Sequence, residues 1–589
     1  MTALALVIAT GWAAMPAEVK AEDCLLDRDN DGVVDAGTDN DAGANSDDGN
    51  GRLACGFNAV ATGDFSTALG GGAVANANQA TAIGNTSSAT AVQATALGHL
   101  AIADFAASTA IGFSADIGGT DATSVGANAN AANVGSTALG SSASAVGNHT
   151  IAIGLAASTT GAGGVAIGGD GDGSTVGAQA GASAVAIGRD ATAVNGALAI
   201  GTDAFAFGSS SLALGLFALA ANSNSLAIGA NSDATNDFSI AIGGDSLDVD
   251  LDGAQASGFA AIALGSDSSA TGSRAVTIGQ GATATGDSGV SVGAFTSTVG
   301  NNSSAFGRNA NADGANSTAI GANSVATGGQ NTVIGSSASA ISTSNAVAVG
   351  FSSSASGIQS VAVGFNVDAN GAGAIAIGGD GSDPGVDGAQ ASATDSIAIG
   401  RDANGNSSNS IAIGRIASAS NVQALAIGIA ATASGLNSNA IGVGALASGS
   451  DSLSLGGRTE ASGAGSIAIG GDGPIDADID GAEATQDYAT AIGPDAKATG
   501  ALAYSLGAIS SASGVNSTAL GSFANAAGLS SLALGSGADA TANFSSAIGT
   551  GSAASHAASF ALGAGASTTR INQIVLGQDG SGFGATAPV

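Results

Sequence analysis

"SIAIGRDANGNSSNSIAIGR" spans Ser396–Arg415 and carries Ser-Ile-Ala-Ile-Gly twice, 14 residues apart. The Gly that closes each such motif recurs far beyond this stretch. It falls at Gly70, Gly84, Gly98, Gly112, Gly126, Gly140, Gly154 and Gly168, and the series continues to Gly577. There are 35 marker glycines and 34 steps, of which 28 are 14 residues long. Gly56 extends the series backwards: Leu53-Ala54-Cys55-Gly56 copies Leu-Ala-Ile-Gly with Cys in place of Ile. A fixed period in this range is the signature of an array.

Fourteen is also two heptads, so a coiled coil competes. Three features oppose it. Gly recurs every 14 residues and often midway, as at Gly63, Gly357 and Gly500, and each costs a helix roughly 1 kcal/mol relative to Ala. The apolar residues alternate, as in Ile-Ala-Ile, with the period of a strand. Charge pairs of the kind that flank a coiled-coil seam are almost absent.

"FSSSASGIQSVAVG" (Phe351–Gly364) shows one unit. Ser360-Val361-Ala362-Val363 reads as one strand, and Gly364 supplies a permissive turn. Ser354-Ala355-Ser356 reads as a weaker strand ended by Gly357. Val361 and Val363 share one face and Ala362 takes the other. With both faces apolar, the pattern predicts one face inside the coil and one against a partner. On this pattern Cys55 is expected at a core position of the first coil. One isolated coil has too little apolar filling to offset the entropy of ordering its residues. Stacking supplies a hydrogen-bond ladder and buries both ends of each coil. The fold class expected is all-β, a parallel β-roll or β-solenoid of 14-residue coils, residues 53–584, forming a rod on the order of 170 Å at ~4.8 Å per coil.

The totals agree. Gly numbers 96 of 589 residues, aromatic residues make up 3% and charged residues 10%, yet 44% are hydrophobic. Most of that is Ala, which suits a thin core repeated many times. The net charge of −34 comes from 45 acidic and 11 basic residues, and Lys20 and Lys497 are the only lysines. Phosphate binding needs basic groups, so nucleic acid is excluded as a partner. Anionic lipid is disfavoured by the same sign. The acidic balance fits a solvated surface, divalent cations or a basic partner.

Residues 1–21 read as a secretory signal peptide, with Val19-Lys20-Ala21 as a cleavage site before Glu22, although a basic n-region is missing. A short buried apolar helix is the alternative. Residues 22–52 form an Asp-rich segment, expected to cap the array. Cys24 and Cys55 are the only cysteines. Export and an even count suggest a disulfide, against two buried thiols. Asp27, Asp29, Asp31 and Asp35, with Gly32 at the sixth position, have the spacing of an oxygen-ligated Ca²⁺ loop. Thr38 stands where an EF-hand has Glu. The pattern is closer to short acidic repeats such as those of thrombospondin type 3, and a solvated linker is the alternative. No cofactor is required.

Four longer steps interrupt the period, near 169–187, 244–264, 379–399 and 471–492. Each begins Ile-Gly-Gly-Asp, and the last reads "GGDGPIDADIDGAEATQDYATAIG" (Gly470–Gly493). They read as a duplicated excursion on one side of the array. Asp245, Asp248, Asp250 and Asp252, or Asp476, Asp478 and Asp480, are candidate cation ligands, with solvated loops as the alternative. Prongs that leave a rigid scaffold often carry function.

The unit Ser-(Ile/Val/Thr)-Ala-Ile-Gly, repeated every 14 residues with a second Ala-x-(Ala/Gly) half-unit, resembles the head repeat of trimeric autotransporter adhesins, the YadA-like head. The resemblance covers about residues 53–584. It implies a left-handed parallel β-roll, a homotrimer that buries the second apolar face, and display on a bacterial outer surface. It also implies adhesion to extracellular matrix, cells or other surfaces. The family's stalk and β-barrel anchor are not seen in "RINQIVLGQDGSGFGATAPV" (Arg570–Val589). The expectation is a truncated piece, residues 585–589 being its tail, or a head held by something else, with no membrane anchor in this chain.

An enzyme is not expected. His99, His149 and His556 are scattered and no phosphate-binding Gly-rich motif exists. Arg189, Arg308, Arg401 and Arg415 each follow a marker glycine, as solvent-facing charges, inter-chain contacts or receptor contacts. The alternatives to an adhesin are a structural fibre, phage-tail-like or surface-layer, and an ice- or crystal-binding solenoid. The last needs a flat Thr array, and Thr67, Thr81, Thr95 and Thr109 begin one before later coils change to Ile, Val or Leu.

Overall fold

The computed structural model describes residues 22–23, 44–46 and 51–577, except 172, 174–175, 247–251, 382–386 and 474–478. The chain divides into two compact units, Met1–Phe295 and Thr296–Val589. Every regular element among the described residues is a β-strand.

One coil of the second unit shows how the sequence makes the fold. Ser354–Ala355 is the short strand and Val361–Val363 the long one. Each is preceded by a tight turn. The Ser353 N–H bonds the Gly350 carbonyl, and the Ser360 N–H bonds the Gly357 carbonyl. The third residue of each turn takes a left-handed backbone, Ser352 at φ 52° and Gln359 at φ 59°. Two such corners fold fourteen residues back onto their own start. Val361 then lies level with Val347 before it and Ile375 after it, all parallel.

The first unit repeats this from Leu53↔Thr67 to Val276↔Val290. The second repeats it from Ser304↔Thr318 to Phe560↔Ile574. The result in each unit is a parallel β-solenoid, one coil per marker glycine, with long strands forming one sheet and short strands a second.

The core is thinner than the apolar count suggests. Four side chains per coil point inward, here Ser353, Ala355, Ser360 and Ala362, all fully buried. The equivalents elsewhere are nearly all Ala or Ser. Val361 and Val363 face outward and are only half-buried. The division of faces read from the sequence therefore holds, with the small residue inside and the branched ones outside. Inward Ser is accommodated because its hydroxyl closes on its own turn: Ser360 Oγ donates to Gly357 O at 2.7 Å and Ser108 Oγ to Phe105 O at 2.6 Å. The closure is not universal: the buried hydroxyls of Ser66, Ser317, Ser452, Ser466, Ser517 and Ser531, at the equivalent position, have no hydrogen-bond partner.

The marker glycines have a steric cause. From Gly56 to Gly549 their φ lies between 130° and 149°, a region that L-residues rarely enter. A Cβ at Gly350 would also lie 2.0 Å from the carbonyl oxygen of Gly364 on the next coil. The matching corner of the second turn is freer, since Gly63, Ala77, Phe105 and Asn133 all occupy it.

Steps that depart from 14 are absorbed locally. The 15-residue step to Gly350 is filled by Asn331, whose buried amide donates to Ala340 O and Ser342 O at 3.0 Å each and accepts from the Ala346 N–H at 2.9 Å. The 13-residue step to Gly201 leaves a groove of about 280 Å³ lined by Thr160, Gln179, Thr192 and Asn195.

Candidate functional surface

With Ala and Ser inside, everything chemically distinctive is outside, in four columns: two strand faces and two turn corners. The residue before each marker glycine faces outward on the long strand. It is Leu, Ile or Val in every coil from Leu69 to Val292, and Phe, Ile, Val or Leu from Phe306 to Leu576. Leu97 and Ile334 are 41% and 42% exposed. Two residues earlier the column varies. Thr67, Thr81, Thr95, Thr109, Thr123 and Thr137 lie in register on successive strands, followed by Ile151 and Val165. The short-strand face is polar and irregular, with Ser, Asn, Gln and Asp prevalent.

The turn corners carry most of the aromatic groups and many of the charged ones. No aromatic side chain among the described residues is buried. Rings instead stack from coil to coil: Phe351 on Phe365 at 5.4 Å, and His99 on Phe113 at 5.5 Å, nearly parallel. His149 sits at a left-handed turn position and His556 lies 3.4 Å from Ser555 Oγ. Arg189 reaches Asp203 on the next coil at 3.2 Å and Asp190 beside it at 3.5 Å, and Arg401 reaches Asp402 at 3.4 Å. These half-exposed pairs add little stability. They do tie two of the recurrent arginines to carboxylates of their own chain.

All four insertions leave from the first turn, after the marker glycine. Each exits beside the preceding coil and returns there: the N–H groups of Gly177, Gly253, Gly388 and Gly481 bond the carbonyls of Ala156, Asn231, Asn366 and Arg458. Each is also held by an aspartate two residues past the next marker glycine. Asp190, Asp267, Asp402 and Asp495 accept the N–H of Gly171, Ser246, Gly381 and Gly473, the last from both carboxylate oxygens at 3.0 and 3.1 Å. Sequence reading missed these anchors. Their signal was available, since Gly-x-Asp follows every insertion.

Two like-charge pairs stand at the loop bases. Burial raises the Asp233 carboxyl above its ordinary range, and Asp252 adds to this. Asp368 is raised the same way, by burial and then by Asp387, with a Ser354 hydrogen bond opposing. Of the proposed loop ligands, Asp245, Asp252 and Asp480 are described, while Asp248, Asp250, Asp476 and Asp478 lie outside the described residues. No group of three or more potential ligands that could hold a metal occurs among the described residues.

Cys24, Asp27, Asp29, Asp31 and Asp35, like residues 1–21, lie outside the described residues. Cys55 is disulfide-bonded and 4% exposed. It is level with Leu69, on the outward column rather than the inward position expected of it. No helix among the described residues is long and apolar enough to cross a membrane.

The family model of the YadA head domain repeat matches residues 61–87, 89–115, 118–143, 145–170, 195–218, 220–246, 256–276, 299–324, 344–366, 387–403, 391–417, 406–428, 419–445, 447–472, 484–501 and 512–538. No curated protein sequence matches the chain. Among solved structures, the collagen-binding domain of the Yersinia adhesin YadA is 26% identical over 31% of this chain and 74% of that one, with a TM-score of 0.15.

Proposed function

The chain belongs to the YadA head repeat family and has an adhesin-type role, and from that premise we propose that it is the head of a homotrimeric bacterial surface adhesin. In this reading it attaches the cell to extracellular matrix, to other cells or to inert surfaces, without catalysis. The observation that carries the reading is the division of the outer surface. One column is apolar in every coil of each unit, while the corners vary freely. A column that never varies fits a partner that never varies, namely the same column of other copies. Corners that vary fit ligands recognised across several coils. Adjacent exposed Leu, Ile and Val along the column make a contiguous patch of the kind that marks an interaction site.

Binding of the purified chain to surfaces coated with collagen, fibronectin or whole cells tests the role. Retention no greater than on albumin-coated surfaces contradicts it. Light scattering tests the assembly: a species of three 54.2 kDa chains is expected, and a monomer at micromolar concentration contradicts it.

Export and Ca²⁺ binding belong to the same proposal. The sequence supports them through the leader-like residues 1–21 and the aspartates at 27, 29, 31 and 35. Calorimetric titration of the chain with CaCl₂, with and without Asp29→Asn and Asp31→Asn, tests the second. Equal heats from both reject it.

The six in-register threonines from Thr67 to Thr137 favour a second reading for that stretch alone, a regular hydroxyl array facing ordered water. Thermal hysteresis in ice growth supports it, and its absence leaves adhesion as the single reading.

A further inference from the structure

Two consecutive coils of the first unit are one residue short at the same place. In an ordinary coil two residues, such as Thr62 and Gly63, join the inward Ala of the short strand to the tip of the second turn. After Ala180 there is only Gly181, and after Ala193 only Val194. The turns still close, the Ala184 N–H on Gly181 O at 3.3 Å and the Ala197 N–H on Val194 O at 2.9 Å. The corner is therefore drawn in over two coils. The coils on either side, through Thr160-Gly161 and Phe207-Gly208, keep the full length. The groove of about 280 Å³ is this two-coil notch. A Cβ on Gly181, which lines it, would lie 2.7 Å from Asn195 Oδ1.

The lining is polar and carries no charge. Thr160, Gln179, Thr192 and Asn195 present hydroxyl and amide groups. The side chains of Thr160, Gln179 and Thr192 have no hydrogen-bond partner among the described residues. Asn195 Oδ1 accepts the Ala182 N–H at 2.9 Å, which fixes the amide and leaves its NH₂ group available. The backbone here is already paired: the N–H groups of Gln179, Gly181, Thr192 and Val194 bond the carbonyls of Ala191, Ala193, Ala204 and Ala206. An extended peptide therefore finds no free strand edge to join. On the next coil, the short strand Phe205–Ala206 sets Phe205 level with Thr192. Phe205 and Phe207 stack at 5.5 Å, and Phe207 is 48% exposed. A face that is mostly polar thus carries an aromatic platform directly beside the notch.

We propose that this notch binds a neutral saccharide, with sugar hydroxyls on Thr160, Gln179, Thr192 and Asn195 and the C–H face of a ring on Phe207. A sugar ring has both parts. Its rim of hydroxyls donates and accepts hydrogen bonds, and its C–H face suits the face of an aromatic ring. Uncharged amides and hydroxyls match the rim and favour neither an anion nor a cation. A hydrocarbon ligand would cut the Gln179 and Asn195 amides off from water without a partner. The volume of about 280 Å³ is at the small end for a ligand site, room for a ring or two with the rest of the glycan outside. The proposal names a ligand class for the adhesin reading, and it rests on that reading for where the glycan is met, on the surface to which the cell attaches.

An array of neutral oligosaccharides of glucose, galactose, mannose and N-acetylglucosamine, with sialylated galactosides beside them, tests the proposal on the full chain. The best-retained neutral oligosaccharide is then titrated by calorimetry. At least one neutral oligosaccharide is expected to be retained, with no gain from sialic acid. Phe207→Ala and Gln179→Ala are each expected to weaken its Kd about ten-fold. Both side chains face outward, so the β circular-dichroism spectrum should not change. Retention of no neutral oligosaccharide overturns the proposal. So does retention that either variant leaves intact, or retention that needs sialic acid. A chain that adheres to coated surfaces or cells but retains no saccharide loses this site and keeps the adhesin reading. A chain that holds a saccharide through Phe207 and Gln179 but adheres to nothing keeps the site and loses that reading.

Discussion

At Gly364 a methyl group has nowhere to go. Its φ of 140° and a 2.3 Å approach to the next carbonyl oxygen act together, so Gly364→Ala is expected to destabilise its coil by about 3 kcal/mol or more. Exchange protection should fall at Val361–Val363 and at its neighbours on both sides, and should hold several coils away. Asp233 and Asp368 give the opposite kind of residue-level test. Their native pKa values are raised, so the native state holds protons more tightly than the unfolded chain. Their contribution is least unfavourable below the ordinary value of 3.8. Stability is then lost as pH rises from there through the raised pKa, and the deficit persists above it. Asp233→Asn with Asp368→Asn should raise the melting temperature at pH 7 and change it little at pH 3. An equal shift at both pH values would place the effect elsewhere.

A coil is an element whose inside is fixed and whose outside is free. That asymmetry decided what the sequence could reveal. The 14-residue step, both strands and the split of the long strand into a large-residue face and an Ala face were legible because each is repeated, and repetition rises above local ambiguity; which of the two faces turns inward was not. The Ser–carbonyl closures were not, because Ser also fits an exposed site and only the fold shows which hydroxyls are inside. The Cys55 position was misjudged for a related reason. The residue before the marker glycine looks like core by its hydrophobicity, yet strand alternation turns it outward. The loop anchors were readable in principle from Gly-x-Asp, but a single Asp at a turn is ordinary until four of them are seen holding four loops. Asp495 is the most buried of these. Asp495→Ala removes both hydrogen bonds to the Gly473 N–H and should cost about 1–3 kcal/mol, seen as faster proteolysis within 471–492 and unchanged protection at Tyr504–Leu506. Asn331→Ala should act likewise on the 15-residue step. It strips three buried hydrogen bonds and removes the Asn331 partner of the Ser342 carbonyl and the Ala346 N–H, while the Ala340 carbonyl keeps the Thr327 N–H.

For each unit as a whole, every coil touches only its neighbours, so unfolding should spread from weak points rather than occur all at once. Melting followed by exchange should show the coils around 13- and 15-residue steps opening first. A single sharp transition across all coils of a unit would contradict this. Assembly is tested on the same scale by Ile413→Glu with Ile427→Glu. These side chains face outward, so the monomer should keep its β circular-dichroism spectrum while the proposed trimer dissociates. Persistence of the trimer would move the interface to another face.

Because the interior asks almost everywhere for Ala or Ser, most coils can follow one another without repacking. Recombination between repeats in the gene can therefore add or remove whole turns of the protein in one event, and the product still closes on itself. The number of turns is thus adjustable independently of what the corners display.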